Sequence, residues 1–220
     1  MLTNAEENYL KAIYKIGEKN NSAAQTTEIS IEINTTTASV TDMLKKLAEK
    51  KIVHYEKYHG VTLTDEGLLT ARSLIRKHRL WEVFLCEKLG YRWDECHVIA
   101  EQLEHIHSED LSERLDNFLN HPLFDPHGDP IPDKDGVYVR REQQKLNTLQ
   151  PNESGIIVGV LENSSTFLQH LSRIGLGLGV EVTVVEVFSF DGSQKIKINE
   201  RDVTMQVSKE VNKNIFISRT

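Results

Sequence analysis

Four of the chain's five prolines, with two of its twelve glycines, fall in the run HPLFDPHGDPIPDKDG between His121 and Gly136. Proline removes a backbone donor and glycine costs conformational entropy, so no regular element can cross this stretch. It divides the 220 residues into two unlike parts. Upstream, apolar residues recur at helical spacing; downstream, they gather in short β-branched runs.

The upstream part begins with a predicted helix over 4–18, carrying Tyr9, Leu10, Ile13, Tyr14 and Ile16 and started by a Thr3/Glu6 capping box. A short helix over 27–33, a polar turn at Asn34-Thr35 and a second helix over 36–50 follow. Strand-like pieces at 52–56 and 61–63 are joined through Lys57, Tyr58, His59 and Gly60. Helix, turn, helix and hairpin is the layout of a winged helix-turn-helix. Thr64 can cap a long helix to Leu89, with further helices expected over 94–107 and 109–120. Beyond the proline-rich stretch, runs at 156–161, 180–187, 195–198 and 203–207, interrupted by a short helix over 165–172, predict a small, partly closed SH3-like β-barrel. The expected class is α+β, mainly α. Its parts are a winged helix-turn-helix (1–72), a helical segment (73–140), and a linker with the β-barrel (141–220).

A 39% apolar content can build these cores, and the longest strongly apolar stretch, Ile156 to Leu161, is too short to span a membrane. Glu6 and Glu7 stand where a secretory signal would be basic, and two cysteines give no disulfide framework, so a cytoplasmic protein without membrane association is expected. The net charge of -7 argues against nucleic acid for the chain as a whole, but the deficit is uneven. Residues 73–150 hold 15 acidic against 10 basic side chains, together with most of the histidines. Residues 38–60 hold five lysines against Asp42, Glu49 and Glu56, a locally basic segment of the kind phosphate binding needs.

The segment ECHVIAEQLEHIH, 95–107, carries the chemistry. At about 100° per residue, His97, Glu101, Glu104 and His105 share one side of a helix, while Ile99, Leu103 and Ile106 take the other. On the preceding helix His78 and Glu82 are spaced i, i+4 and therefore meet. Carboxylates and imidazoles without thiolate suit Mn²⁺, Fe²⁺, Co²⁺ or Zn²⁺, and the sequence alone does not single one out. Cys96 points away from this face and reads as a packed thiol, and His107 reads as a surface histidine. A solvated helix face, a binuclear metallohydrolase and a metal-free winged-helix regulator are the alternatives; the absence of a glycine-rich substrate loop or general-base arrangement argues against an enzyme.

The chain resembles the diphtheria-toxin-repressor (DtxR/MntR/IdeR) family of metal-dependent transcriptional regulators over nearly its full length. The resemblance is carried by EENYLKAIY at 6–14, SVTDMLKKLAEKKIV at 39–53, GVTLTDEG at 60–67, RKHRLWEVFL at 76–85, AEQLEH at 100–105 and HPLFDPHGDPIP at 121–132. LSRIGLGLGVEVTVVEV at 171–187 resembles the FeoA/SH3-like domain of the longer members. The resemblance implies two metal sites per subunit: an ancillary one at His78, Glu82 and His97, and a primary, DNA-linked one at Asn8, Glu101, Glu104 and His105. Glutamate at 101, where iron-responsive members have cysteine, leans the primary site toward Mn²⁺, with Fe²⁺ the other expected activator and Zn²⁺ or Co²⁺ as substitutes. Lys11 stands where manganese regulators place a further carboxylate. The resemblance also implies that Thr36, Ala38, Ser39, Thr41 and Asp42 meet the operator. Lys45, Lys46, Lys57 and His59 would hold its backbone. The expected whole is a homodimeric, metal-activated repressor of metal homeostasis on a palindromic DNA operator.

Overall fold

The computed structural model describes residues 2–219. Helix α1 (Asn4–Asn20) begins at the expected capping box, Thr3 accepting from the Glu6 amide while the Glu6 carboxylate accepts from the Thr3 amide. α2 (Thr26–Glu32) and α3 (Thr37–Glu49) follow, and the Thr36 hydroxyl caps α3 at the Ser39 amide. Strands β1 (Val53–Glu56) and β2 (Gly60–Leu63) pair antiparallel in register Val53 with Leu63, so residues 57–59 form the tip of a wing. Leu10, Ile13, Ile29, Val40, Leu44, Leu47 and Val61 close one core beneath these elements. Capping and apolar spacing thus yield the winged helix-turn-helix the sequence predicts.

α4 (Asp65–Leu89) starts at the Thr64 cap and runs without interruption out of the winged domain, crossing residue 72 in mid-helix. Its first turn is pressed on the loop before β1: a Cβ on Gly67 would stand 2.1 Å from the Ile52 carbonyl oxygen. α5 (Cys96–Leu103) and α6 (Glu109–Phe118) pack on its second half, with Leu80, Val83, Leu115, Leu119 and Ile131 in one cluster and Leu85, Cys96 and Ala100 in another. α5 is shorter than the 94–107 expected: it ends at Leu103, and the chain turns through Glu104 and His105.

The proline-rich stretch is irregular, as its composition requires, but ordered by its own polar groups. Asp125 accepts from the amides of His127 and Asp129, and Arg79 donates to the Pro130 carbonyl. Gly128, at φ +87°, lies so close to the strand that follows that a Cβ there would meet the Val158 carbonyl oxygen at 2.1 Å.

The last third is a six-stranded antiparallel sheet in the order β3-β8-β4-β5-β6-β7. Its strands are β3 (Gln144–Lys145), β4 (Ser154–Val160), β5 (Glu181–Val187), β6 (Gln194–Ile198), β7 (Val203–Val207) and β8 (Ile215–Arg219). Helices α7 (Ser165–Ile174) and α8 (Lys209–Asn212) accompany it. Leu146, Ile157, Leu168, Leu171, Ile196, Ile215 and Ile217 form its core. Among the described residues β3 and β7 do not pair, so the barrel stays open, and β3 and β8 are strands without a counterpart in the runs read from sequence. Helix α7 beside this sheet meets the helical part: Trp93 donates to Ser172, and Asp94 accepts from Gln169. Among the described residues no helix is long and apolar enough to cross a membrane.

Candidate metal centre

α1, α4 and α5 converge on Glu104. The residue is 0% exposed and sits at the C-terminal cap of α5, where the chain leaves the helix and its side chain turns inward. One oxygen accepts from Lys11 of α1 at 2.7 Å, and the other accepts from Lys11 at 2.8 Å and from Nδ1 of His78 of α4 at 2.7 Å. A carboxylate so far from water is tolerable only because both oxygens meet cationic donors.

His78 joins two groups of side chains. Its Nε2, Nδ1 of His97 and Oε1 of Glu82 lie 3.0–3.1 Å from one another; the i, i+4 spacing on α4 predicts the His78–Glu82 contact, and the packing of α5 on α4 adds His97. Burial favours the neutral ring, but the hydrogen bonds with Glu104 and Glu82 prevail and raise the His78 pKa to about 9. Glu82 is buried too, which would raise its pKa, yet His127, His78 and His97 around it hold the carboxyl well below its ordinary value.

His127 was not among the residues singled out from sequence. Its Nε2–H donates to the Trp93 carbonyl at 2.8 Å, leaving Nδ1 3.6 Å from Glu82. Against burial, Glu82 raises its pKa to about 10. Burial, reinforced by Glu82 and Asp129, raises the neighbouring Asp125 to about 7. Donor atoms of Glu82, Cys96 and His127 lie within 4.8 Å of one another, as do those of His78, His97 and Glu101. Cys96 is therefore near the cluster that the helical wheel placed it away from. It is nonetheless fully buried against Leu85 and Ala100, and the adjoining Cys86 and its burial push its thiol pKa up, as befits a packed thiol.

The other group spans α1 and the end of α5. Nδ1 of His105 lies 2.6 Å from Glu7, Nε2 of the same ring lies 3.6 Å from Glu104, and His107 comes within 3.8 Å of Glu7. Glu101 accepts from Lys11 at 2.8 Å. Against its partial burial, the Lys11 charge holds Glu101 below the usual carboxylate range. The α1 side chains that reach this group are thus Glu7 and Lys11. Asn8 makes no hydrogen bond to Glu101, Glu104 or His105; its Oδ1 is buried with no donor. A buried acceptor without a partner is a cost that a bound cation removes, and Glu7, Glu104 and His105, which lie together, are oxygen and nitrogen donors of the kind a divalent ion accepts. Glu7 and His127 carried no periodic signal of their own: one stands beside the residue chosen, the other in a loop.

The residues expected to meet DNA lie at the surface of α3 and of the wing. Thr36, Ala38, Ser39, Asp42, Lys45 and Lys46 are exposed along α3, Thr41 is half-buried there, and Lys57 and His59 are exposed on the wing. Thr36 and Ser39 hydroxyls pair at 3.0 Å, and Lys45 donates to Asp42 at 3.3 Å.

Comparison with known proteins covers all three parts. The family described as the iron dependent repressor, N-terminal DNA binding domain, matches residues 1–61. The one described as iron dependent repressor, metal binding and dimerisation domain, matches 64–133, and the FeoA domain matches 144–219. An uncharacterized HTH-type transcriptional regulator of Methanocaldococcus jannaschii is 38% identical over 113 residues, 51% of this chain and 90% of that protein. The iron-dependent repressor IdeR of Mycobacterium tuberculosis is 30% identical over 131 residues, 60% of this chain and 56% of that protein. Among solved structures, a manganese-dependent transcriptional repressor in complex with manganese superposes with a TM-score of 0.83 at 30% identity, covering 98% of this chain and all of that one.

Proposed function

The chain belongs to the iron-dependent repressor family of metal-dependent, DNA-binding transcriptional regulators, and we propose that Mn²⁺ or Fe²⁺ switches it on through the side chains that join α1 to the end of α5. It is a metal-dependent homodimeric repressor and not an enzyme, which removes the metallohydrolase alternative. The observation that carries the proposal is the convergence on Glu104 of Lys11 from α1 and His78 from α4, with Glu7 of α1 bonded to the adjoining His105.

Glu7, Asn8, Glu104 and His105 are the proposed ligands of the DNA-linked site, Glu7 standing in for Glu101, which accepts from Lys11 and lies near His78 and His97; His78, Glu82 and His97, with His127 beside them, are those of the second. A bound divalent ion supplies positive charge that donors from α1 and from the end of α5 share. Glu7 and Asn8 belong to the winged domain, and Glu104 and His105 to the helical one. When these four side chains satisfy a single centre, they favour one orientation of the winged domain over others. His78 links the two sites, since its ring nitrogens face Glu104 on one side and Glu82 on the other.

In the favoured orientation the two α3 helices of a dimer would stand about one DNA turn apart, roughly 34 Å, matching a palindromic operator. Thr36, Ser39 and Thr41 offer hydroxyls to phosphate, Ala38 a methyl to thymine, and Lys45, Lys46, Lys57 and His59 charge to the backbone. With no arginine on that face to grip guanine, DNA shape carries part of the selectivity.

The test is fluorescence anisotropy on a duplex selected from a random library with MnCl₂ present. Binding should appear with Mn²⁺ and with anaerobic Fe²⁺, vanish with chelator, and fail in His105→Ala. Equal affinity with and without chelator would establish a metal-free regulator instead.

A further inference from the structure

We propose that Lys11 is a built-in cation of the α1–α5 junction: its ammonium takes the place of a divalent ion between Glu101 and Glu104, so the junction accepts one metal ion and remains tied when none is bound. The inference rests on the proposed metal site and concerns how many ions that site takes and what holds it in their absence.

Lys11 is a turn beyond Glu7 on α1, and its side chain is 7% exposed. Lysine is seldom buried unless paired, because its ammonium is strongly hydrated. Here the three N–H groups meet three oxygens: Oε1 of Glu101 at 2.8 Å, and Oε1 and Oε2 of Glu104 at 2.7 and 2.8 Å. Every donor the group possesses is used, and both oxygens of the most buried carboxylate in the junction are engaged.

A second metal ion between Glu101 and Glu104 would need the same oxygens and would have to approach a positive charge held among them. An ammonium has no lone pair and cannot ligate, so at this point the residues do not fit a metal ion. The neighbouring position is different: Glu7 and His105 lie outside the Lys11 hydrogen bonds, and Oε1 of Glu104, which Lys11 engages through one lone pair, also faces Nε2 of His105 at 3.6 Å. One ion therefore fits beside the ammonium, not two.

Lys11 also acts without metal. It is a residue of the winged domain bonded to Glu101 of α5 and to Glu104 at its end, so it links the same two bodies that the metal links. A protein with this tether keeps α1 docked when metal-free, and the ion adds to an existing attachment.

The experiment compares the full-length protein with Lys11→Met and Lys11→Glu. Native mass spectrometry counts Mn²⁺ per protomer at saturating MnCl₂, and amide hydrogen exchange follows α1 with chelator present. Lys11→Glu leaves three carboxylates at one point and should bind one more Mn²⁺ per protomer than wild type. Lys11→Met keeps the side-chain bulk without the charge; it should leave the count unchanged and make metal-free α1 exchange several-fold faster. An unchanged count in folded Lys11→Glu, or unchanged α1 exchange in Lys11→Met, overturns the proposal. Should Lys11→Glu fail to fold, the exchange of Lys11→Met decides alone. Failure of the wild type to bind Mn²⁺ at all would instead overturn the metal site on which the proposal rests.

Discussion

Glu7 and His105 are 98 positions apart in sequence and 2.6 Å apart in space. Both side chains are almost wholly buried, so the contact is a short, charge-assisted hydrogen bond away from water. It joins the first helix of the DNA-binding domain to the turn that ends α5, two bodies that must hold a defined angle if a pair of α3 helices is to meet one operator. Lys11 makes the parallel connection one turn along α1.

Glu7→Gln keeps the shape of the side chain and removes its charge. Losing even a hydrogen-bonded support of a metal ligand costs about ten- to a hundredfold in metal affinity, so loss of the Glu7 carboxylate should weaken Mn²⁺ binding at the junction by at least about tenfold. Isothermal titration checks this, with an unchanged far-ultraviolet spectrum as the control; Mn²⁺ affinity equal to wild type would remove Glu7 from the ligand set.

Glu82 is the shared partner of His78, His97 and His127. Replacing it by glutamine leaves the His78 and His127 imidazoles buried without this counter-charge. Breaking a buried ion pair costs about 3–5 kcal/mol, and the metal-free midpoint in urea should fall accordingly. Added Mn²⁺ should stabilise this variant less than wild type, because one of the two proposed sites is impaired while the Glu7–His105 site is intact.

The pH dependence of the metal-free protein has a fixed sign. His78, at about 9 in the folded chain, and His127, at about 10, both lie above the ordinary histidine value of 6.5. Their contribution is complete below pH 6.5 and disappears as the pH rises through 9 and 10. Asp125, raised from 3.8 to about 7, acts in the same direction at lower pH, since the folded chain holds its proton longer than the unfolded one. Thermal melts with chelator should therefore fall from mildly acidic to alkaline pH. Mn²⁺ binding should show the reverse trend, strengthening as pH rises, because a ligating imidazole must give up a proton. A metal-free melting temperature that rises between pH 7 and 9 would contradict the assignment.

On the DNA face, Lys45→Ala and Lys46→Ala should weaken operator binding about equally across sequences. Each should reduce the slope of log affinity against log salt by about one. Thr36→Val and Ser39→Ala remove uncharged phosphate contacts, so they should weaken binding alike across sequences while leaving the salt slope near wild type. The two pairs are distinguished by anisotropy titrations at several salt concentrations.

Much of the fold was legible in the chain because its determinants are local. The Thr3–Glu6 capping box, the Thr64 cap, the period of α1 and α3 and the proline-rich break each act within a few residues, and each appears in the structure where the residues call for it. The His78–Glu82 contact is local in the same sense, since i, i+4 neighbours on a helix meet wherever that helix goes. Strands β3 and β8 were not legible: a two-residue strand has no period, and β8 is defined by its pairing with β4 and β3 across the whole last third.

The site divides in the same way. Composition and helical spacing determined that carboxylates and imidazoles would gather on α4 and α5. They did not determine which α1 residues would reach them. Glu7 and Asn8 differ by about 100° around one helix axis, and only the packing of α1 on α4 settles which of the two lies against His105. The same packing brings Lys11 onto Glu101 and Glu104, ends α5 at Leu103 so that Glu104 turns inward, and sets His127 of an irregular loop beside Glu82. Spacing along the chain fixes an angle about an axis. Only the crossing of helices far apart in sequence decides what that angle faces.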